Sequence, residues 1–120
     1  MSTIVVTGAA GYIGGQDCLQ LTDAGYTVVG IDRRPCPTHL TDVIHTFINA
    51  DIVDELVLSA IVQCKPNAIL HCAGTSLVGP SITNPSEYYN NNFIKTKVLL
   101  DLVTKSIPMT KFIFSSSLYT

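Results

Sequence analysis

The sequence predicts an α/β fold, a parallel sheet flanked by helices, and three observations carry that prediction. Short apolar runs rich in β-branched residues recur at Ile4–Val6, Thr27–Ile31 and Ala68–Leu70. They lack the polar alternation of a strand that faces water, so they suit strands covered on both faces. Stretches with helical spacing of apolar residues separate these runs, so strand and helix alternate along the chain. Gly8, Gly11 and Gly14 turn the chain between the first strand and the first helix.

The first strand starts at Thr3 or Ile4, and Thr7–Gly11 is the turn. Each glycine has a physical role there. The first permits a tight turn, the second lets a pyrophosphate approach the backbone, and the third lets helix and strand pack closely. The free N–H groups of the helix start, with their partial positive charge, suit phosphates. Gly8, Gly11, Tyr12, Ile13 and Gly14 are therefore candidate pyrophosphate contacts. A glycine turn that binds nothing is the alternative. Against it stands Asp32, which ends the second apolar run about twenty residues after the turn, where a carboxylate can accept both hydrogen bonds of a ribose diol.

Tyr12 to Ala24 reads as a helix with Ile13, Cys18, Leu21 and Ala24 inward, and Gly25 ends it. Tyr26 to Ile31 is the second strand. Arg33-Arg34-Pro35-Cys36-Pro37 is a loop, since its prolines exclude a helix. Asp32 favours the 2′-hydroxyl of NAD and repels a 2′-phosphate, whereas Arg33 beside it could accommodate NADP. The acid holds the strand end itself, so NAD is the expected cofactor. Arg34 reads as a solvated loop residue.

Val43 to Ile48 is a third strand. Asp51 stands where it could cap the helix that follows. Asp54 to Cys64 is helical, with Leu56, Val57, Ala60, Ile61 and Cys64 as its apolar stripe, and Lys65-Pro66-Asn67 closes it. Ala68 to Gly74 is a fourth strand ending in small residues, Ala73 and Gly74, over which a flat cofactor can lie. His71 reads as a partly buried scaffold histidine and Cys72 as a packing residue. Ser86 to Ser106 is one long helix, ended by Ile107-Pro108. Lys111 to Ser116 is the fifth strand, running into the serines at 115, 116 and 117. Right-handed crossovers then give the strand order 3-2-1-4-5 of a Rossmann-type sheet.

At 120 residues the chain is one small domain or part of one, 47% hydrophobic and 13% charged. Its formal charge of −2 leaves no electrostatic footprint for nucleic acid or an anionic membrane. Cys18, Cys36, Cys64 and Cys72 show no metal-ligand spacing, so no metal is expected and the thiols read as reduced. No signal peptide and no apolar run long enough for a membrane span is evident, so a cytoplasmic location is expected.

Thr7-Gly-x-x-Gly-x-x-Gly14 resembles the opening of the extended short-chain dehydrogenase/reductase family. The stretch from His71-Cys-Ala-Gly through Val78-Gly-Pro-Ser81 and Pro85-Ser-Glu-Tyr-Tyr to Asn90-Asn-Asn92 is similar to its UDP-glucose 4-epimerase branch. This resemblance implies that Asp51 and Ile52 face the adenine. It also implies that Ala73, Gly74, Asn91 and Ser115 line the cofactor, and that Ser117 hydrogen-bonds the reacting sugar hydroxyl. Two departures stand out. Ser76 replaces a cofactor-contacting lysine of the pattern, and Lys95 replaces a glycine that lets the long helix pack closely.

The resemblance further implies a hydride passed from sugar C4 to NAD and back, and a catalytic Tyr-x-x-x-Lys pair. That pair is absent from this sequence, with Tyr88 and Tyr89 followed by Asn92 and Phe93. The expectation is a truncated, catalytically dead N-terminal portion of an NAD-binding domain, residues 1–120, without its substrate domain. A nucleotide sugar would be the substrate of the complete enzyme. A dehydratase fragment, a non-catalytic dinucleotide-binding module and a folding remnant without a ligand are the alternatives. With strand five as an edge carrying Phe112, Ile113 and Phe114, self-association through that strand is also expected.

Overall fold

Five parallel strands, β1 (Thr3–Thr7), β2 (Thr27–Asp32), β3 (Thr46–Asn49), β4 (Ala68–His71) and β5 (Lys111–Phe114), form one sheet in the order β3-β2-β1-β4-β5. The structure is a computed structural model. It describes residues 2–72 and 85–114, and the side chains of all of these except 85–93 and 114. Among the described residues, three helices connect the strands: α1 (Tyr12–Asp23), α2 (Glu55–Cys64) and α3 (Pro85–Ser106). The predicted strand order is the observed one. It makes β1 and β4 neighbours across the point where the chain reverses direction through the sheet, so ligands are expected outside the carboxyl ends of those strands.

The two-sided burial inferred for the strands follows from the alternation of their side chains. In β1, Val5 joins Ile31, Ile69, Val57, Ile61, Leu99 and Val103 in one core layer beneath α2 and α3. Its neighbours Ile4 and Val6 join Val28, Ala68, Cys18, Leu40 and Ile44 in the layer beneath α1. Among the described residues, no helix is long and apolar enough to cross a membrane.

The elements differ from expectation in three places. The segment before β3 is not strand. A short 3₁₀ turn at Thr38–Leu40 buries Leu40 and turns Ile44 into the core, so β3 begins only at Thr46. In α1 the inward face is Gly14, Gly15 and Cys18, while Ile13 and Ala24 are exposed. The glycine contact sets this phase: a Cβ on Gly14 would collide with the Gly8 carbonyl oxygen, so α1 turns its bare backbone to the turn that follows β1. In α2, Val57 and Ile61 are buried but Leu56 is 81% exposed. Asp54 rather than Asp51 caps that helix, its Oδ1 accepting from Leu56 N–H at 2.9 Å.

Candidate functional site

The glycine turn hangs over the end of β2. Gly8 takes φ of +72°, which favours glycine. The N–H groups of Gly8 and Ala9 both donate to the Ile31 carbonyl, at 2.8 and 3.2 Å, and Gly11 N–H returns to Gly8 O at 3.0 Å. Gly11 is the N-cap of α1. No side chain caps that helix, and its first turn carries no acid. The opening of α1 thus suits an anion. Tyr12 and Ile13 stand exposed on that same turn.

Asp32 closes the corner. Its carboxylate is buried at the tip of β2, and Oδ2 accepts from Ala10 N–H at 2.9 Å, which ties it to the glycine turn. The second arginine of the loop, not the first, reaches it. Arg34 donates to Oδ1 from its backbone N–H at 2.8 Å and from Nε at 3.2 Å, and to Oδ2 from Nη2 at 3.1 Å. Burial alone would raise the Asp32 carboxyl. The bonds from the Arg34 side chain and from the Arg34 and Ala10 amides outweigh it and hold the group below its ordinary value. Arg33 is exposed. Asn49, which sequence reasoning passed over, lies at the tip of β3 with Nδ2 between 2.9 and 3.1 Å from the carbonyls of Asp32, Arg33 and Arg34. It fixes the path of the loop that aims Arg34.

Further along this edge, Asp51 follows β3. Its Oδ1 accepts from Val53 N–H at 3.3 Å, and its Oδ2 lies 2.8 Å from Lys95 Nζ on α3. Burial would raise this carboxyl too, but the bonds from Lys95 and Val53, with the charges of Lys95 and Arg33, lower it. Ile52 turns its side chain into the core. Only its backbone therefore faces outward.

At the end of β4, His71 is buried between two hydroxyls. Nδ1 lies 2.7 Å from Thr7 Oγ1, Nε2 lies 2.9 Å from Thr96 Oγ1, and the Phe112 ring packs against it at 5.7 Å. Thr7 Oγ1 also accepts from Cys72 N–H at 3.1 Å. The histidine therefore joins β1, β4 and α3, and burial pushes its pKa down to about 4. Cys72 is half-buried, its thiol 3.4 Å from Asp17 Oδ2.

The structure thus gathers Gly8, Gly11, Tyr12, Ile13, Gly14 and Asp32 at one corner of the sheet, with Asp51 and Ile52 following the neighbouring strand tip. Ala73, Gly74, Ser76, Ser115 and Ser117 lie outside the described residues, and Asn91 falls on α3 with its side chain also outside them.

A glycine cradle that a Cβ would fill, a bare helix start and a buried carboxylate acceptor are the parts an adenine dinucleotide needs. The UDP-glucose 4-epimerase of Yersinia pestis is 38% identical over 124 residues, covering 95% of this chain and 36% of the relative. Among solved structures, the UDP-glucose 4-epimerase of Bifidobacterium longum in complex with NAD+ and UDP superposes with a TM-score of 0.83 at 32% identity, over 97% of this chain and 37% of that one. The Thermotoga maritima UDP-glucose 4-epimerase with UDP-glucose gives 0.81 at 31% identity, over 96% of this chain and 38% of that one. The chain spans just over a third of the length of these relatives. Residues 4–120 match the family model described as "NAD dependent epimerase/dehydratase family", and the chain belongs to that family.

Proposed function

We propose that residues 1–120 are the N-terminal portion of the NAD-binding domain of a nucleotide-sugar epimerase of the UDP-glucose 4-epimerase kind. The observation that carries this reading is the bond from Ala10 N–H to Asp32 Oδ2, which locks the phosphate turn and the ribose acceptor into one corner. The pyrophosphate would lie over Gly11–Gly14 and the adenosine ribose at Asp32. The adenine would meet Asp51 and the Ile52 backbone. Ala73, Gly74, Ser76, Asn91 and Ser115 would line the rest of the cofactor, and Ser117 would hydrogen-bond the sugar hydroxyl. A bound nicotinamide supplies a hydride acceptor for sugar C4.

No tyrosine in these 120 residues has a lysine four positions on, so this polypeptide binds without turning substrate over. Calorimetric titration with NAD tests the binding. Asp32→Ala should weaken NAD by about tenfold or more, as two diol bonds go, while NADP loses far less. Absence of NAD binding, or equal losses for both nucleotides, would refute the assignment. Turnover of UDP-galactose by the 120-residue polypeptide would refute its inactivity.

Among the described residues β5 pairs only with β4, and Ile113 on it is 49% exposed. Prepared alone, this polypeptide would pair through β5 with a second copy, burying that edge. Sedimentation showing a monomer at high concentration would remove this part of the reading. Free thiols at Cys18, Cys36 and Cys64 suit a reducing cytoplasm.

A further inference from the structure

We infer that Lys95 sets the base specificity of the nucleotide seat: with Asp51 it forms an edge that takes a 6-oxopurine, such as hypoxanthine, as readily as adenine. The inference rests on the function proposed above, which puts the base at Asp51 and the Ile52 backbone. Asp51 is held below its ordinary value, so at neutral pH its carboxylate only accepts hydrogen bonds. Beside it, the Ile52 N–H donates to no group among the described residues. By themselves these two groups read adenine, whose amine donates to the carboxylate while N1 accepts from the amide. They would reject a 6-oxopurine. Its C6=O would face a carboxylate and its N1–H would face another donor, which leaves both bonds unmade.

Lys95 changes that edge. Reaching across from α3, its Nζ stands 2.8 Å from Asp51 Oδ2. An ammonium carries three donors, and Asp51 occupies one of them. A carboxylate offers about four lone-pair positions, of which Val53 N–H and Lys95 Nζ take one each. An acceptor and a charged donor thus stand side by side, each with capacity left. Neither is sealed from solvent, since the two side chains are only partly buried. The lactam edge of a 6-oxopurine has the complementary order, N1–H beside C6=O. Its N1–H donates to Asp51 while its C6=O accepts from Lys95 Nζ, and both bonds are charge-assisted. Adenine keeps its own pairing, the amine on Asp51 and N1 on the Ile52 amide. The charge of Arg33 also acts on Asp51, and a second cation there favours a carbonyl oxygen over an amine.

The experiment is calorimetric titration of wild type, Lys95→Met and Lys95→Arg with NAD and with nicotinamide hypoxanthine dinucleotide. The two ligands differ only at the base edge, so their affinity ratio isolates this contact from the rest of the site. Wild type should bind them within about fivefold of each other. Lys95→Met keeps the stem but not the donor, and should raise the preference for NAD by about tenfold. Lys95→Arg, which keeps a charged donor, should hold the wild-type ratio. A merely structural role for the ion pair would weaken both ligands alike in Lys95→Met and leave the ratio unmoved. That result overturns this inference alone, as does a preference of about tenfold or more for NAD in wild type. If wild type binds neither dinucleotide, the proposed function falls and this inference falls with it.

Discussion

Lys95 Nζ stands 2.8 Å from Asp51 Oδ2, and this ion pair ties α3 to the segment that follows β3. The family pattern that this sequence resembles has a glycine at position 95. Here the lysine stem crosses the gap and finds a carboxylate.

Both side chains of the pair are less than a third exposed, at 22% and 29%. Removing the charge should therefore be felt. Lys95→Met keeps the stem and the helix propensity, and is expected to destabilise the fold by about 1 kcal/mol. Lys95→Gly removes the pair and also places glycine in a helix interior, so its loss should be about 2 kcal/mol. Urea unfolding of the two variants beside wild type measures both. Asp51 is held below its ordinary value, so the pair stabilises above that value and is lost as pH falls below it. Lys95→Gly unfolding at the wild-type midpoint would show that the pair contributes nothing.

The second prediction concerns pH. His71 is buried neutral between Thr7 and Thr96, its pKa pushed from 6.5 to about 4. The unfolded chain therefore binds a proton that the folded chain refuses between those values. Stability is fully present above pH 6.5 and declines as pH falls through about 4. The whole loss from this group is about 3 kcal/mol. Denaturation midpoints at pH 7 and pH 5 should differ in wild type, and the difference should shrink in a His71→Gln variant. A His71 titration followed by NMR with its midpoint near 6.5 would contradict the burial argument.

What was legible in the sequence was what neighbouring residues decide together. The glycine turn, the apolar strands and Asp32 at a strand end are local patterns, and they sufficed for the strand order. Arg34 is solvated, as its loop position predicts, with a side chain 64% exposed, but it also bonds Asp32, and a signal for that bond is present in the sequence. In extended chain, residues two apart point to the same side, so Asp32 and Arg34 share a side and Arg33 does not. The partners of His71 and Lys95 had no such signal. Thr7 is 64 positions from His71, and Asp51 is 44 from Lys95, so only the folded sheet brings them together. Hydrophobicity points Ile13 inward, but the bare glycine face of α1 holds the contact with the turn that follows β1.

That contact supplies an internally controlled test at two adjacent glycines. A Cβ on Gly14 would sit 2.1 Å from the Gly8 carbonyl oxygen and 3.1 Å from Ala9 Cα, both backbone atoms that cannot rotate away. On Gly15 the nearest atoms would be Ala9 O and Leu40 Cδ1, both at 3.5 Å, an ordinary contact. Both positions lie in α1 and both are buried, so the helix-propensity gain from alanine, about 1 kcal/mol, is common to the two. Only the clash differs. Gly14→Ala must push α1 off β1, and should destabilise the fold by about 3 kcal/mol in spite of that gain. The same shift would spoil the phosphate turn, so NAD affinity should fall with stability. Gly15→Ala should be neutral or stabilising by up to about 1 kcal/mol, with NAD affinity retained. Thermal unfolding and NAD titration of the two variants read both effects. Equal behaviour of the pair would mean that close packing of α1 on the turn does not set this corner.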